Sequence, residues 1–408
     1  MKLLFLNSLY APDIGGGAEI ILQRTVEGLQ ARGHQVVVLA TGAKAGLHQD
    51  SVNQVRVYRA GLRNFYWHFT PQRPGRLKRL GWHLRDRYNR SMRRYLSQVI
   101  ALEQPDLVVC HNLTGWSVSA WDEIRQHERP IVQVLHDLYL LCPGSTMFRK
   151  GHDCQRQCGL CVQLRKGHAE RSAQVDSVVG VSRFMLERLQ GRGYFQHAHS
   201  HVVYNASPFA PPPTTSQAPR VADAPLRFGY MGTLSEPKGV GWLIEQFLRL
   251  PFKATLDIAG RGQLADEQRF KAMAVSERIR FVGYQKPEQF YAGIDVAVVP
   301  SMWSEPFGMV AVEACAHAKP VIASRMGGLV EIIQDPFNGL LCNPDDPESL
   351  GLAMLRLHQD PALLARLGAQ ARSSVAALLD LDLMLDSYER IFAQALRERR
   401  LIPVNPSL

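Results

Sequence analysis

The residues best placed to do chemistry in this 408-residue chain lie in the stretch Pro300-Ser301-Met302-Trp303-Ser304-Glu305-Pro306-Phe307-Gly308-Met309-Val310-Ala311-Val312-Glu313. It follows an apolar, strand-like run, Val296–Val299. Pro306 suits the first turn of a helix, and the N–H groups of Phe307, Gly308 and Met309 would then face an anion. Glu305 and Glu313 stand about two helical turns apart, so both can lie on one side of such a helix. Glu305 at the helix mouth could take the hydroxyls of a sugar, and Glu313 those of a ribose. The same residues also read as a strand–proline–helix junction with two solvated glutamates, because a lone spacing motif has many false matches.

Four further groups invite a chemical reading. Gly15-Gly16-Gly17 sits between an apolar run, Leu3–Leu6, and a helical pattern, Ile20–Leu29. There glycines let the backbone approach phosphate or sugar beside a helix dipole, or form a bare turn. The spacing is not GxGxxG and gives no nicotinamide fingerprint. His136 and His111 each end a strand-like run, Ile131–Leu135 and Leu107–Cys110, the edge where open α/β sheets bind ligands. Cys142, Cys154, Cys158 and Cys161 form a local cluster. Four thiolates could hold a tetrahedral zinc, although only Cys158-x-x-Cys161 has knuckle spacing, so reduced structural thiols stand beside that reading. Finally, Arg56 to Arg94 holds twelve Lys and Arg against one acid, Asp86, in a chain of net charge +10. A basic field of this density implies an anionic partner. Its interleaved rings suit lipid headgroups, with Arg76, Arg79, Trp82, Arg87 and Arg90 as the patch; RNA or a plain solvated helix face are the other readings.

The elements that must position these residues are legible as short apolar runs alternating with helix-period segments, the pattern of parallel βαβ units. Strands are expected at Leu3–Leu6, Val36–Leu39, Leu107–Cys110, Ile131–Leu135, Val178–Val181 and Val202–Tyr204. A second set runs Phe228–Met231, Leu256–Ala259, Ile279–Val282, Val296–Val299 and Val321–Ala323. The proline-rich, polar stretch 208–225 has linker chemistry. Two doubly wound α/β domains, 1–207 and 226–380, are therefore expected to face each other across a ligand cleft. A last helix within 381–408 is expected to pack back on the first domain. The short apolar start, interrupted by Tyr10-Ala11-Pro12-Asp13, reads as a buried strand rather than a signal peptide. Seven cysteines without an export signal suggest a reducing cytoplasm.

The chain resembles the retaining glycosyltransferases of family 4, which have the GT-B fold. The match runs through Ser304-Glu305-Pro306-Phe307-Gly308 to Glu313, then Gly327-Gly328-Leu329-Val330-Glu331 and Asn338-Gly339-Leu340-Leu341. Upstream it includes Gly229-Tyr230-Met231-Gly232, Lys238-Gly239, Ile258-Ala259-Gly260-Arg261-Gly262 and Val282-Gly283-Tyr284. In the first half it reaches Gly15-Gly16-Gly17-Ala18-Glu19 and Val203-Tyr204-Asn205-Ala206. The resemblance implies that Lys238 neutralises the donor diphosphate and that His136 faces the donor sugar, with Glu305 holding its hydroxyls. It implies donor contacts from Gly16, Gly17, Phe307, Gly308, Met309 and Glu313. The family's arginine just after Met231-Gly232 is Thr233 here, so one phosphate contact is missing or comes from elsewhere, with Arg261 the candidate.

The expectation is thus hexosyl transfer with retention from a nucleoside diphosphate sugar to a saccharide acceptor, lipid-linked, in cell-surface polysaccharide or lipopolysaccharide synthesis. No catalytic divalent metal and no nucleic acid are expected, and a structural zinc is an open alternative. The expected location is the cytoplasm, peripheral on the inner membrane. A nucleotide-sugar epimerase of the same fold, or a non-catalytic adaptor built around the basic segment, are the rival readings.

Overall fold

Runs of four or five apolar residues form four of the described strands, at Lys2–Leu6, Gln35–Gly42, Leu107–Cys110 and Val296–Val299. A computed structural model describes residues 1–70, 74–211 and 224–401. Arg73, most of the 208–225 stretch and the chain after Leu401 lie outside the described residues. Strands β1 (Lys2–Leu6), β2 (Gln35–Gly42), β3 (Leu47–Val52), β4 (Val55–Gly61), β5 (Leu107–Cys110) and β6 (Ile131–Leu135) precede a small hairpin of β7 (Phe148–Arg149) and β8 (His152–Asp153). Then come β9 (Ser177–Gly180) and β10 (His199–Val202). Between them lie α1 (Gly17–Ala31), α2 (Arg76–Asp86), α3 (Arg90–Glu103), α4 (Ser119–Gln126), α5 (Gly159–Leu164), α6 (His168–Ser172) and α7 (Arg183–Gln190). β5 and β6 are buried along their whole length, as a parallel sheet covered on both faces requires.

The later chain contributes β11 (Leu226–Met231), β12 (Ala254–Ala259), β13 (Ile279–Gly283), β14 (Val296–Val299), β15 (Val321–Ser324) and β16 (Gly339–Cys342). Its helices are α8 (Val240–Leu248), α9 (Leu264–Met273), α10 (Pro287–Ala292), α11 (Met309–Ala316), α12 (Leu329–Ile332), α13 (Ser349–Gln359), α14 (Pro361–Ser374) and α15 (Leu381–Leu401). Local chemistry sets several starts: Ser182 caps α7 by accepting from Met185 N, and Asp360 caps α14 by accepting from Leu363 N, with Pro361 at the first helical position.

The chain divides into two units. The first comprises Met1–Met147, Gln155–Asn205 and the chain from Leu381 onward; the second comprises Phe148–Cys154 and Ala206–Asp380. The hairpin β7–β8 therefore belongs to the second unit although its sequence lies within the first half. The first unit's described strands form one sheet in the order β10-β9-β6-β5-β1-β2-β4-β3, parallel except for the β3–β4 pairing. Strand order reverses direction at β1, between β5 and β2. α15 lies against α1 in this unit, where Arg32 bonds Asp382, Asp386 and Glu389. Apart from the β7–β8 hairpin, the second unit's six described strands form one parallel sheet in the order β13-β12-β11-β14-β15-β16. Its core is built from Phe228, Leu256, Val296 and Ile322 of the sheet with Leu243, Phe247, Met354 and Leu367 of the helices. Here the order reverses between β11 and β14. No helix among the described residues is long and apolar enough to cross a membrane.

The expected strand at Val202–Tyr204 ends at Val202 and begins at His199. It is an edge strand whose first residues are polar, so no apolar run marks its start. β3 and β4 were not expected. Their residues are too polar to read as a covered strand, and β4 places Val55 and Val57 inward and Arg56 outward.

Candidate donor and acceptor sites

In the first unit the sheet reverses beside β1, and the groups that follow β1, β5 and β6 gather at that edge. Asn7, just past β1, donates from Nδ2 to Leu9 O at 2.6 Å, while its Oδ1 accepts from Asn112 N at 2.8 Å. The glycine loop follows. Gly16 and Gly17 are exposed, a Cβ at either would meet nothing, and Gly16 is in ordinary extended backbone. The fold itself therefore does not require glycine at these two positions. Glu19, in the first turn of α1, is buried, and burial raises its carboxyl above the usual range.

His111 and His136, expected as separate candidates, are a pair. His111 Nδ1 and His136 Nε2 are 2.7 Å apart and the rings stack with centroids 5.0 Å apart. Both are buried, and burial pushes His136 down to about 4 and His111 well below its ordinary value. Near neutral pH the pair is uncharged, and a single N–H lies between the two rings. Asp137 is pushed up to about 6 by burial. Asp86, at the end of α2, is likewise raised to about 6, and accepts from Tyr139 OH at 2.7 Å and Gly115 N at 2.7 Å. Arg165 donates to Tyr139 O at 2.6 Å and lies over its ring.

The second unit brings Lys238 and Glu305 together at its own reversal point. Lys238 follows β11 and Glu305 follows β14, and Lys238 Nζ lies 2.6 Å from Glu305 Oε1. The same oxygen accepts from Ser301 Oγ at 2.7 Å and Trp303 Nε1 at 3.0 Å, so one carboxylate oxygen receives three donors. Lys238 also lies over the Trp303 ring. The two loops fit closely: Gly239 has φ of 73°, and a Cβ there would fall 1.8 Å from Pro300 O. Met302 N donates to Pro237 O at 2.8 Å. Behind Glu305, Gly327 has φ of 58° with no room for a Cβ against the Glu305 backbone, and Gly328 N donates to Glu305 O at 2.7 Å.

Sequence reasoning missed the anchor of this loop. Asp153, from the hairpin β7–β8, accepts from Ser304 N at 3.1 Å and from Ser304 Oγ at 3.0 Å. A contact spanning 151 positions leaves no local signal.

Several expectations are corrected. α11 begins at Met309 with Gly308 as its N-cap at φ of 109°, so Pro306 and Phe307 lie in the preceding turn. Glu305 is therefore outside the helix, and the two glutamates do not share a helical face. Glu313 is within α11, where Tyr291 OH lies 3.3 Å from its Oε2. Phe307 is buried, and Arg261 is exposed. In the basic segment, Trp82 is only 2% exposed and donates to Tyr66 O at 2.9 Å, so it is no interfacial ring. Three of the segment's cations are paired with acids: Arg56 with Glu103, Arg59 with Asp50 and Asp13, and Arg93 with Glu123. Arg87 donates to Lys166 O, Arg90 lies over the Tyr88 ring, Arg79 is partly covered, and Arg76 is exposed. All seven cysteines are free thiols. Cys161 bonds Cys142, lowering the Cys142 thiol and raising its own, and the Cys158 and Cys161 sulfurs are 3.5 Å apart. Among the described residues no group of three or more His, Cys, Asp or Glu side chains is arranged to hold a metal ion.

Two family models match successive parts of the chain. The glycosyl transferase 4-like domain matches residues 16–206, and glycosyl transferases group 1 matches residues 225–360. The chain belongs to the family 4-like glycosyltransferases. This transferase is 26% identical over 334 residues to an uncharacterized 42.6 kDa protein in the cps region of Klebsiella pneumoniae, covering 81% of this chain and 87% of that protein. Its structure resembles sucrose-phosphate synthase from Thermosynechococcus elongatus with a TM-score of 0.76 at 21% identity, over 97% and 99% of the two chains. It resembles HepE from Anabaena, solved in complex with UDP-glucose, with a TM-score of 0.70 at 18% identity, over 97% and 100%. These likenesses show the GT-B fold, two Rossmann-like α/β domains. Both family models describe glycosyl transferases, so the protein is an enzyme of that class, and the epimerase and adaptor readings are set aside.

Proposed function

We propose that this transferase moves a hexosyl unit from a nucleoside diphosphate sugar to a saccharide acceptor carried on a lipid, at the cytoplasmic face of a membrane, in the synthesis of a cell-surface polysaccharide or lipopolysaccharide. The reading of the donor side rests on one observation above all, the Lys238–Glu305 pair at the reversal point of the second sheet. A lysine beside a carboxylate already held by Ser301 and Trp303 can turn its charge to an incoming diphosphate without stranding its partner. Lys238 then stabilises the negative charge that grows on the leaving diphosphate.

The remaining roles follow from chemistry. Glu305 receives its three donors on Oε1, which leaves Oε2 to accept from sugar hydroxyls. Glu313, steadied by Tyr291, accepts from the ribose hydroxyls. The loop at Gly16 and Gly17 lets backbone N–H groups approach the donor, and the turn at Phe307, Gly308 and Met309 does the same in the second unit. Arg261 is free to supply the cation that Thr233 does not. In the first unit, the neutral His136 offers a hydrogen bond to a sugar hydroxyl, its tautomer fixed by His111. In transfer, the acceptor oxygen bonds the anomeric carbon as the bond to the diphosphate oxygen breaks, and the acceptor proton passes to that leaving oxygen.

The lipid-carried acceptor is supported by the cps-region relative and by the basic first unit. A panel of nucleotide sugars, with and without membrane extract, tests the reading. Nucleoside diphosphate release that depends on the extract, with label recovered in its lipid fraction, is expected. Release driven equally well by a water-soluble saccharide alone would overturn the lipid-held acceptor, and an inverted anomeric centre in the product would overturn the mechanism.

A further inference from the structure

The basic segment contains one face that the fold leaves uncovered. On α2, Leu77 is 87% exposed, Leu80 41% and Leu84 57%. Positions 77, 80 and 84 lie in one row of an α-helix, so the three side chains form a continuous stripe. Phe65, itself 55% exposed, joins it: its ring sits 3.1 Å from where a Cβ on Gly81 of the same row would be. The opposite side of the helix is already anchored. Trp82 is buried with its N–H on Tyr66 O, and Asp86 is fixed by Tyr139 and Gly115. The helix is therefore held in place and presents its leucines outward.

The charges beside the stripe select its partner. Arg76, Lys78, Arg79 and Arg85 are all on α2, while its one acid, Asp86, is buried and points into the unit. No described salt bridge engages any of those four cations. A short helix with an apolar row flanked only by cations matches the headgroup region of an anionic bilayer, where leucines enter the acyl boundary and cations meet lipid phosphate.

We propose that α2 is a membrane-docking helix, inserting Leu77, Leu80, Leu84 and Phe65 into an anionic lipid surface. The face differs from the one expected from sequence, since the buried Trp82 takes no part. Asp86 ties the end of α2 to Tyr139, three residues past His136, so docking places the bilayer on the unit that carries the acceptor-side histidines. The inference adds a partner to the proposed lipid-carried acceptor, yet it is read without any sugar, so the two can fail separately.

The test is co-sedimentation of the full chain with phosphatidylcholine vesicles, with and without phosphatidylglycerol, at low and high salt. Binding is expected only with phosphatidylglycerol and should weaken with salt. The double substitution Leu77→Glu and Leu84→Glu alters exposed side chains only, so the thermal transition should stay in place while vesicle binding falls on the order of tenfold or more. Arg76→Glu with Arg85→Glu should abolish the preference for anionic lipid. Equal binding by the leucine variant, or wild-type binding to neutral vesicles alone, overturns the proposal. So does a self-association of the wild type that the leucine variant loses while neither binds vesicles, which would assign the stripe to a second copy of the chain.

Discussion

Replacing Asp153 should damage turnover more than it damages the fold. Its two carboxylate oxygens accept from the amide and the hydroxyl of Ser304, at 3.1 and 3.0 Å. Hydrogen bonds to a charged partner contribute about 1.5–3 kcal/mol each, and the buried Ser304 amide would be left without an acceptor in Asp153→Ala. The loop has other fastenings, the Gly328 N to Glu305 O and Met302 N to Pro237 O bonds, so it should loosen rather than unfold. We expect a net loss of about 1.4–2.8 kcal/mol of transition-state stabilisation, a fall in kcat/KM of about 10- to 100-fold. Because Glu305 is assigned to the sugar, affinity for the free nucleoside diphosphate should hold while kcat with the full donor drops. Asp153→Asn, which keeps one acceptor oxygen, should fall between. Initial-rate kinetics with calorimetric nucleotide binding on the same preparations provide the comparison. Wild-type kcat/KM in Asp153→Ala, or an equal loss of nucleotide affinity, would refute a positioning role for this residue.

Glu313→Ala should raise the donor Kd about 10- to 100-fold by titration calorimetry, the loss of charged hydrogen bonds to ribose; unchanged affinity would remove that assignment. Stability should decline on acidification from about pH 6.5 toward 4. Burial lowers His68, His83 and His136 to about 4, His168 to about 3, and His111 well below its ordinary value, so the unfolded chain takes up protons that the native state refuses. Asp86 and Asp137, raised to about 6, act in the opposite sense over the same window, gaining stability as pH falls. His201 and His317 are lowered too, and Glu19 is raised, so seven histidines stand against three carboxyls. The net loss should be a few kcal/mol per pH unit at most, and denaturant titrations showing greater stability at pH 4.5 than at pH 7 would reverse the argument. Chelator should leave the thermal transition unchanged if Cys142 and Cys161 stay hydrogen-bonded thiols; a fall in Tm restored by zinc would show that the cluster binds it.

What could be read in advance follows from how local each signal is. β5 and β14 are continuous apolar runs and β6 is broken only by Gln133, all three buried on both faces, so their sequences announce them and with them the strand ends at His111, His136 and Pro300. β3 and β4 were hidden because an antiparallel edge with an exposed face needs no such run. The paired glutamates could be found by spacing, but their placement could not, since Gly308 starts α11 three residues later than Pro306 suggested. The His111–His136 bond, the Lys238–Glu305 pair and the Asp153–Ser304 anchor join residues 25, 67 and 151 positions apart. Each depends on strand order, which periodicity does not encode. Net charge misled in one respect: it counted Arg56, Arg59 and Arg93 as a field although each faces a carboxylate.

The seven residues Phe148–Cys154 also bear on how such an enzyme can be recombined. The chain passes from one unit to the other at 147, returns at 154, leaves again at 205 and returns at 380. A donor half taken from Ala206 to Asp380 would arrive without the hairpin and with Ser304 unbraced. Hybrids of two relatives that exchange specificity by a single crossover in the linker would therefore unite a loop from one parent with a brace from the other. Exchanges that move the hairpin together with the second unit keep both parts from one ancestor, and these are the crossovers expected to survive in a shuffled library.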